Sequence, residues 1–386
     1  MYTVVKKKEV AILDIGSYKI TVIVGERGVN NTFNIKGTGE VEYTGFSAGE
    51  FFEPEDVKKA IALAIANAEM GAHTKIQHLY VGVPGEFTSV ICRECNINFP
   101  KRKRITDQDI NQLFYVGNIY RKHPTHTVIN NTPIYYTLDD SRKIIEPRGL
   151  VSSRLGGYIS YCLAENNFLD FIEGILEEIG IKSAEYISSC LAESMYLFDT
   201  EIRDRYALLF DCGYLTSSVM LVRGDGLLYL RTFSVGGGHI MGDLAEELRI
   251  SIAQAENLKR KIVLSIDAND SDYYEVTGKD YLMPISAKTA NEIVANKVDL
   301  IAAMILKCLS KCEYEIPDYI PLYMTGGGLS YMRGARDYLS KKIGRRVEII
   351  SPSLPNLNRP HFSSTFGLLD MALNENQTNL STLFGK

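Results

Sequence analysis

The sequence predicts an α/β fold with an internal duplication and an α+β insertion in its first half. Three observations carry this prediction. Strand-like and helix-like runs alternate along most of the chain. Two hairpin-like segments of the same layout set Asp14 and Asp211 197 positions apart, about half of the 386 residues. From about Glu86 to Glu165 the alternation gives way to short β-like runs around a single helix.

Taken in order, Glu9 to Ile15 (EVAILDI) reads as a buried strand, Gly16 to Tyr18 as a tight turn and Lys19 to Gly25 as the returning strand. Pro54 to Met70 carries apolar residues at Val57, Ala60, Ile61, Ala64, Ile65 and Ala68, the spacing of an amphipathic helix with proline in its first turn. In the insertion, Thr88 to Phe99, Val128 to Leu138 and Tyr158 to Leu163 read as strands, with a helix after Thr106. A helix from about Asn167 to Ile179 is stopped by Gly180. Tyr206 to Asp211, Cys212 to Thr216 and Ser217 to Arg223 repeat the strand, turn, strand layout. Ser251 with Gln254 forms a capping box that opens a helix to about Val263, with Ile252, Ala255, Leu258 and Ile262 on its apolar side. A long helix covers Ala287 to Cys312. A strand at Tyr319 to Met324 runs into Thr325-Gly326-Gly327-Gly328, followed by a helix near Tyr331 to Ile343 and a strand at Arg346 to Ile350.

With 45% hydrophobic and 23% charged residues, the composition is that of a folded globular protein and excludes a mostly disordered or collagen-like chain. The net charge of −5 gives no global field that would recruit nucleic acid. No apolar run is long enough to span a membrane, and the start of the chain, with Lys6, Lys7 and Lys8, lacks a signal-peptide core, so a cytoplasmic location is expected. Seven cysteines fit a reducing compartment. Cys92 and Cys95 form one CxxC on an expected strand, where residues three apart face opposite ways, which disfavours zinc. Lys101 to Arg104 (KRKR) reads as a solvated loop, with an acidic protein surface as the alternative partner.

The chemistry lies in the glycine turns. A nucleoside triphosphate is held by backbone N–H groups, small residues at the approach and a divalent cation on its phosphate oxygens. The first turn offers Asp14, Gly16, Ser17, Tyr18 and Lys19, and the second Asp211, Gly213, Tyr214, Leu215, Thr216 and Ser217. Asp14 and Asp211 suit Mg²⁺ bound through water. Gly326, Gly327 and Gly328 follow a strand and can lie against an adenosine face. Gly236 to Gly238 reads as a hinge or crossover, with Gly238 also counted among the nucleotide-side residues. The absence of G-x-x-x-x-G-K-[ST] excludes a P-loop.

The order of these pieces resembles the superfamily of actin, the heat-shock chaperones and the sugar kinases, an actin-like (ribonuclease H-like) duplicated fold. Within it the chain is most similar to the FtsA family of bacterial cell-division proteins. The resemblance is carried by Ala11 to Glu26, Leu79 to Gly85 (LYVGVPG), Glu146 to Leu150 (EPRGL), Phe233 to Ile240 (FSVGGGHI), Ala253 to Lys259 (AQAENLK), Met324 to Gly328 (MTGGG) and Phe366 to Leu369 (FGLL).

That resemblance implies four subdomains: 1A at 1–85 and 165–195, the insertion 1C at 86–164, 2A at 196–235 and 310–386, and 2B at 236–309. It implies ATP and Mg²⁺ as ligands, with Glu256 and Lys259 on the adenosine side. It further implies head-to-tail filaments, docking of the FtsZ C-terminal tail on 2B, contacts with other divisome proteins through 1C, and a place at mid-cell on the inner face of the membrane. Membrane attachment is expected only if an amphipathic helix completes or follows Leu380 to Lys386.

No catalytic residue is assigned. Asp14, Asp211 and Glu193 are candidates, Ser189 falls where relatives often place a water-positioning residue, and hydrolysis is expected to be slow or absent. Tyr214 and Leu215 stand where relatives have more glycine. Two alternatives stay open: a PilM-like cytoplasmic assembly protein of a pilus or secretion system, and a small-molecule kinase of the same fold.

Overall fold

A computed structural model describes residues 9–47, 49–121, 123–277, 282–354 and 357–384. The N-terminal lysines and residues 385–386 of the expected tail segment lie outside the described residues, as do the side chains of 377–384.

The first half opens with the antiparallel strands β1 (Val10–Ile15), β2 (Lys19–Arg27) and β3 (Phe33–Glu42), followed by a small hairpin of β4 (Phe46–Ser47) and β5 (Glu50–Phe51). Helix α1 (Pro54–Ala72) has Pro54 in its first turn and buries the six apolar positions expected of it. Strand β6 (His78–Val83) then runs parallel to β1.

The insertion follows as β7 (Thr88–Arg104), α2 (Asp107–Gly117), β8 (His126–Thr137), β9 (Lys143–Ile144) and β10 (Val151–Glu165), a sheet of order β7-β10-β8-β9. Lys101 to Arg104 are not a loop, as the sequence suggested, but the exposed end of β7. There Arg104 pairs with Val151 and Lys103 with Ser152. Ladder bonds do not depend on side-chain charge, and a charged end blunts this edge strand against further pairing. Cys92 and Cys95 point to opposite faces, Cys92 Sγ toward Leu227 O and Cys95 Sγ toward Leu113 O.

Helix α3 (Asn166–Ile179), ended by Gly180 in the left-handed region, and β11 (Ser183–Ser188) complete the first sheet, ordered β11-β6-β1-β2-β3. Helices α4 (Ser189–Leu197) and α5 (Thr200–Arg203) lead to the second half. There β12 (Ala207–Cys212), β13 (Ser217–Arg223) and β14 (Gly226–Phe233) precede α6 (Gly237–Leu248), α7 (Ile252–Lys261), the hairpin β15 (Tyr273–Thr277) and β16 (Leu282–Ser286), and α8 (Ala287–Ser310). The chain ends with β17 (Leu322–Thr325), α9 (Ala335–Ile343), β18 (Val347–Ile349) and α10 (Ser363–Phe384). Pro321 delays β17 relative to the expected strand, and Gly334 at φ 76° delays α9.

The second sheet is ordered β14-β13-β12-β17-β18, the same topology as the first: an antiparallel meander of three strands, then two parallel ones. The duplication read from two hairpins therefore extends to whole sheets. Insertion and second half are joined by polar contacts. Ser160 Oγ donates to Leu227 O (2.6 Å), Asp225 N–H donates to Pro133 O (3.0 Å), and the Tyr158 and Tyr314 hydroxyls meet at 2.6 Å. Helix α10 buries Phe366, Leu368 and Leu369 with β1 residues Val10 and Ile12, and Arg27 clamps it through Asp370 (2.6 Å). No helix of the described residues is long and apolar enough to cross a membrane.

Candidate nucleotide cleft

The two hairpin turns face each other across one cleft of about 780 Å³. Each turn is closed in the same way: Gly16 N–H donates to Lys19 O and Gly213 N–H donates to Thr216 O, both at 3.0 Å. A Cβ at Gly213 would strike that carbonyl oxygen at 2.8 Å, and one at Gly16 would press on its counterpart at 3.0 Å, so both turns favour glycine.

In the first turn, Tyr43 donates its hydroxyl to Gly16 O (2.8 Å). Asp14 accepts from Ser364 (3.2 Å) and Thr365 (2.5 Å), which stand in the first turn of α10. Lys19 lines the cleft but is paired with Glu40 at 2.8 Å. In the second turn, Tyr214 and Thr216 line the cleft, whereas Leu215 and Ser217 do not. Leu215 packs against the apolar residues that β1, β2 and α1 bury between them, with its N–H on Ser17 Oγ (3.0 Å), and the buried Ser217 hydroxyl donates to Val235 O (2.7 Å). Gly238 also lies off the cleft. A Cβ there would meet the Tyr214 ring, and Gly237 is the residue of that triplet that faces inward.

The opposite wall holds Gly326, Gly327 and Gly328. Gly326 has φ 83°, and any side chain there would collide with Asp211 and Cys212, so this position requires glycine. Gly328 N–H donates to Cys212 O (2.7 Å), tying this wall to the second hairpin. From α7, Glu256 and Lys259 both reach the cleft, with Lys259 Nζ donating to Gly237 O (3.2 Å). Burial lowers the Lys259 pKa. Ile252, expected on the apolar face of α7, is instead 55% exposed and lines the cleft, because the helix starts at the cleft edge.

Four carboxylates stand on the floor: Asp14, Glu86, Glu193 and Asp211. Asp14 and Asp211 keep a water-accessible face toward the cleft but are walled by protein elsewhere. Burial, then repulsion from Glu86 and Asp14, pushes Asp211 up to about 7. Burial raises Asp14 too, partly offset by its two hydroxyl donors. Glu193, 2% exposed on α4, is pushed well above the usual carboxylate range by burial and then by Asp211 and Asp14. Ser189, at the start of α4, also lines the cleft, and its buried hydroxyl has no partner. Glu86 escaped the sequence reading. It follows Pro84-Gly85 in the turn that opens the insertion, and burial raises its carboxyl, with the Thr216 hydroxyl partly opposing. Its one sequence signal was a charged residue directly after a Pro-Gly turn at a strand end. Ser364 and Thr365 were missed because they are remote in sequence from the residue they hold.

This donor set fits a hydrated hard cation carried in on a polyphosphate: oxygens only, crowded enough to repel one another until a positive charge arrives. Among the described residues no three acidic, histidine or cysteine side chains converge on one ion position, so a cation would be met through water rather than caged.

Comparison with known proteins gives this geometry its family. The family model for cell division protein FtsA matches residues 208–367, and that for the SHS2 domain inserted in FtsA matches residues 85–161. The chain is 23% identical over 376 residues to cell division protein FtsA of Neisseria meningitidis, covering 95% of this chain and 91% of that one. It is 24% identical over 373 residues to that of Streptococcus pneumoniae, covering 95% and 81%. Among solved structures, the PilM-PilN type IV pilus biogenesis complex superposes with a TM-score of 0.63 at 15% identity, over 95% of this chain and 98% of the other. MreB5 of Spiroplasma citri bound to AMPPNP gives 0.56 at 11% identity, over 97% and 99%. These structures establish the actin/MreB-like fold with its duplicated sheets and inserted domain. Matched by two family models across more than half its length, at the second hairpin and at the inserted sheet, the chain belongs to the FtsA family of cell-division proteins.

Proposed function

We propose that the chain is an ATP-binding, filament-forming adaptor that links FtsZ to the cytoplasmic membrane at the division site. The observation that carries the nucleotide part is the pair of equivalent glycine turns, each led by an aspartate, converging on one cleft whose far wall is a triple glycine. A relative of the same fold, MreB5 of Spiroplasma citri, is described as bound to AMPPNP and, in a second structure, to ADP.

In this reading the turn amides near Gly16 and Gly213 face the phosphates. Gly326 to Gly328 with Gly237, Glu256 and Lys259 flank the nucleoside, and Asp14 and Asp211 hold Mg²⁺ through water. The cation would supply charge neutralisation of the phosphates. Among the chain's own residues, Ser364 and Thr365 orient Asp14, and the Gly328 amide fixes the glycine wall to the second hairpin. Glu193 is buried and pushed toward its neutral form, which makes it a poor proton acceptor and supports slow turnover or none. In this reading the chain divides into subdomains 1A at 1–85 and 165–195, 1C at 86–164, 2A at 196–235 and 310–386, and 2B at 236–309, with FtsZ on 2B, divisome partners on 1C, and self-association head to tail, an open, non-closing contact.

Calorimetric titration with ATP and Mg²⁺, then with an FtsZ C-terminal peptide, tests both parts. Binding of both is expected. ATP binding without peptide binding would move the role toward a PilM-like assembly function, and absence of ATP binding would overturn the nucleotide reading.

A further inference from the structure

The two turns do not merely face each other; they are fastened together. The Tyr18 and Tyr214 rings stack across the gap with centroids 4.2 Å apart and planes 27° from parallel. One comes from the first turn and one from the second, so the contact joins the two halves of the fold. Both rings are seated from behind. Tyr18 donates its hydroxyl to Glu42 on β3 (2.5 Å). Tyr214 lies on Gly238, where even a methyl group would strike the ring, and Tyr214 O accepts the Gly238 N–H (2.7 Å). Beside the rings, Leu215 N–H donates to Ser17 Oγ (3.0 Å), so an amide of the second turn is already bound to the first.

Two turns that meet on a triphosphate are ordinarily bridged by its terminal phosphate, which accepts from both sides at once. Here side chains of the protein make that bridge. A stacked aromatic pair and a hydrogen bond favour the closed cleft with no ligand, and a ligand gains correspondingly little by closing it.

We propose that Tyr18 and Tyr214 form a clasp that substitutes for the terminal phosphate, so that this cleft discriminates weakly between nucleoside diphosphate and triphosphate and stays closed without either. The inference rests on the nucleotide reading above for its ligand but not for the clasp itself. The clasp also accounts for Gly238, which lies off the cleft yet admits no side chain: it is the seat of the Tyr214 ring.

Two measurements on the full chain test it. The first is amide hydrogen exchange of residues 16–19 and 213–216 without nucleotide. Protection is expected in the wild type, about tenfold faster exchange in Tyr214→Gly and in Gly238→Ala, and wild-type protection in Tyr214→Phe, which keeps the stack. Equal exchange in the wild type and Tyr214→Gly would overturn the clasp whatever the ligand. The second is calorimetry with ADP and with a non-hydrolysable ATP analogue, each with Mg²⁺. The wild type should bind the two within about threefold, and Tyr214→Gly or Tyr18→Ser should shift the ratio toward the triphosphate by up to about tenfold, the double variant shifting it no further than the larger single one. A ratio unchanged by all three variants would overturn the selectivity. Binding of neither nucleotide would overturn the selectivity together with the nucleotide reading, while the exchange result still decides the clasp.

Discussion

Asp14 and Asp211 occupy equivalent register positions in two separate hairpins. Asp14 lies opposite Thr21, Asp211 lies opposite Ser218, and both carboxylates open onto the same cleft. The duplication therefore places two like charges where each makes ionisation of the other harder, a cost that a bound cation would offset.

The pH dependence follows from that pair. Asp211 is raised from 3.8 to about 7 by burial and then by Glu86 and Asp14, so its folded-state value exceeds its unfolded one. Its contribution to stability is then fully present below about pH 4 and is lost as pH rises through about 7. Asp211→Asn should raise the Tm of the nucleotide-free chain at pH 8 by about 3 °C or more, with the difference from wild type shrinking toward pH 5. A difference independent of pH, measured by thermal melts across that range, would remove the assigned cause.

Asp211→Ala should weaken ATP binding in Mg²⁺ by about tenfold or more and leave binding in EDTA nearly unchanged. The readout is the ratio of the two affinities by calorimetry. An affinity indifferent to both EDTA and the substitution would count against a metal role for this residue.

The triple-glycine wall separates a fold requirement from a binding requirement. Gly326 is at positive φ against Asp211 and Cys212, so Gly326→Ala should destabilise the chain by about 2 kcal/mol or more in urea unfolding. Gly327 is less confined: its φ is ordinary, and a Cβ there meets only the Cβ of His361, at 3.3 Å, which has to give by a few tenths of an ångström. Gly327→Asp should leave the melting curve almost unmoved while its carboxylate in the cleft abolishes measurable ATP binding.

Much of this architecture was legible in the sequence, for physical reasons that differ by element. The two hairpins were visible because buried strands are apolar runs and the turn between them needs glycine; helix α1 was visible because six apolar residues recur at helical spacing. The actin-like fold and the family rested on the order of short motifs. What stayed hidden depended on distance in the chain. Nothing near Asp14 signals that Ser364 and Thr365, 350 positions away, hold its carboxylate. The strand at Lys101 to Arg104 was hidden because charge reads as solvation, although its ladder partner, β10, lies about 50 residues downstream. Leu215, Ser217 and Gly238 were read as cleft residues because a turn's sequence does not reveal which of its members face inward.

Glu256 and Lys259 stand three residues apart on α7, close to one helical turn, yet the structure gives them unequal weight. Glu256 is partnered by Arg260 at 3.0 Å on a largely solvated surface, the kind of pair that contributes little. Lys259 folds over the cleft onto Gly237 O, where burial lowers its pKa and an arriving phosphate or ribose oxygen would be a better partner than a carbonyl. Lys259→Met, which keeps the apolar stem and removes the charge, should therefore reduce ATP affinity by about tenfold, while Glu256→Gln should change it by less than about twofold. Each variant keeps the approximate length of the side chain it replaces and opens no cavity, so both should melt close to the wild type, and titration, not stability, separates them. Equal losses from both would mean that the helix acts on the nucleotide through its position rather than through the lysine charge.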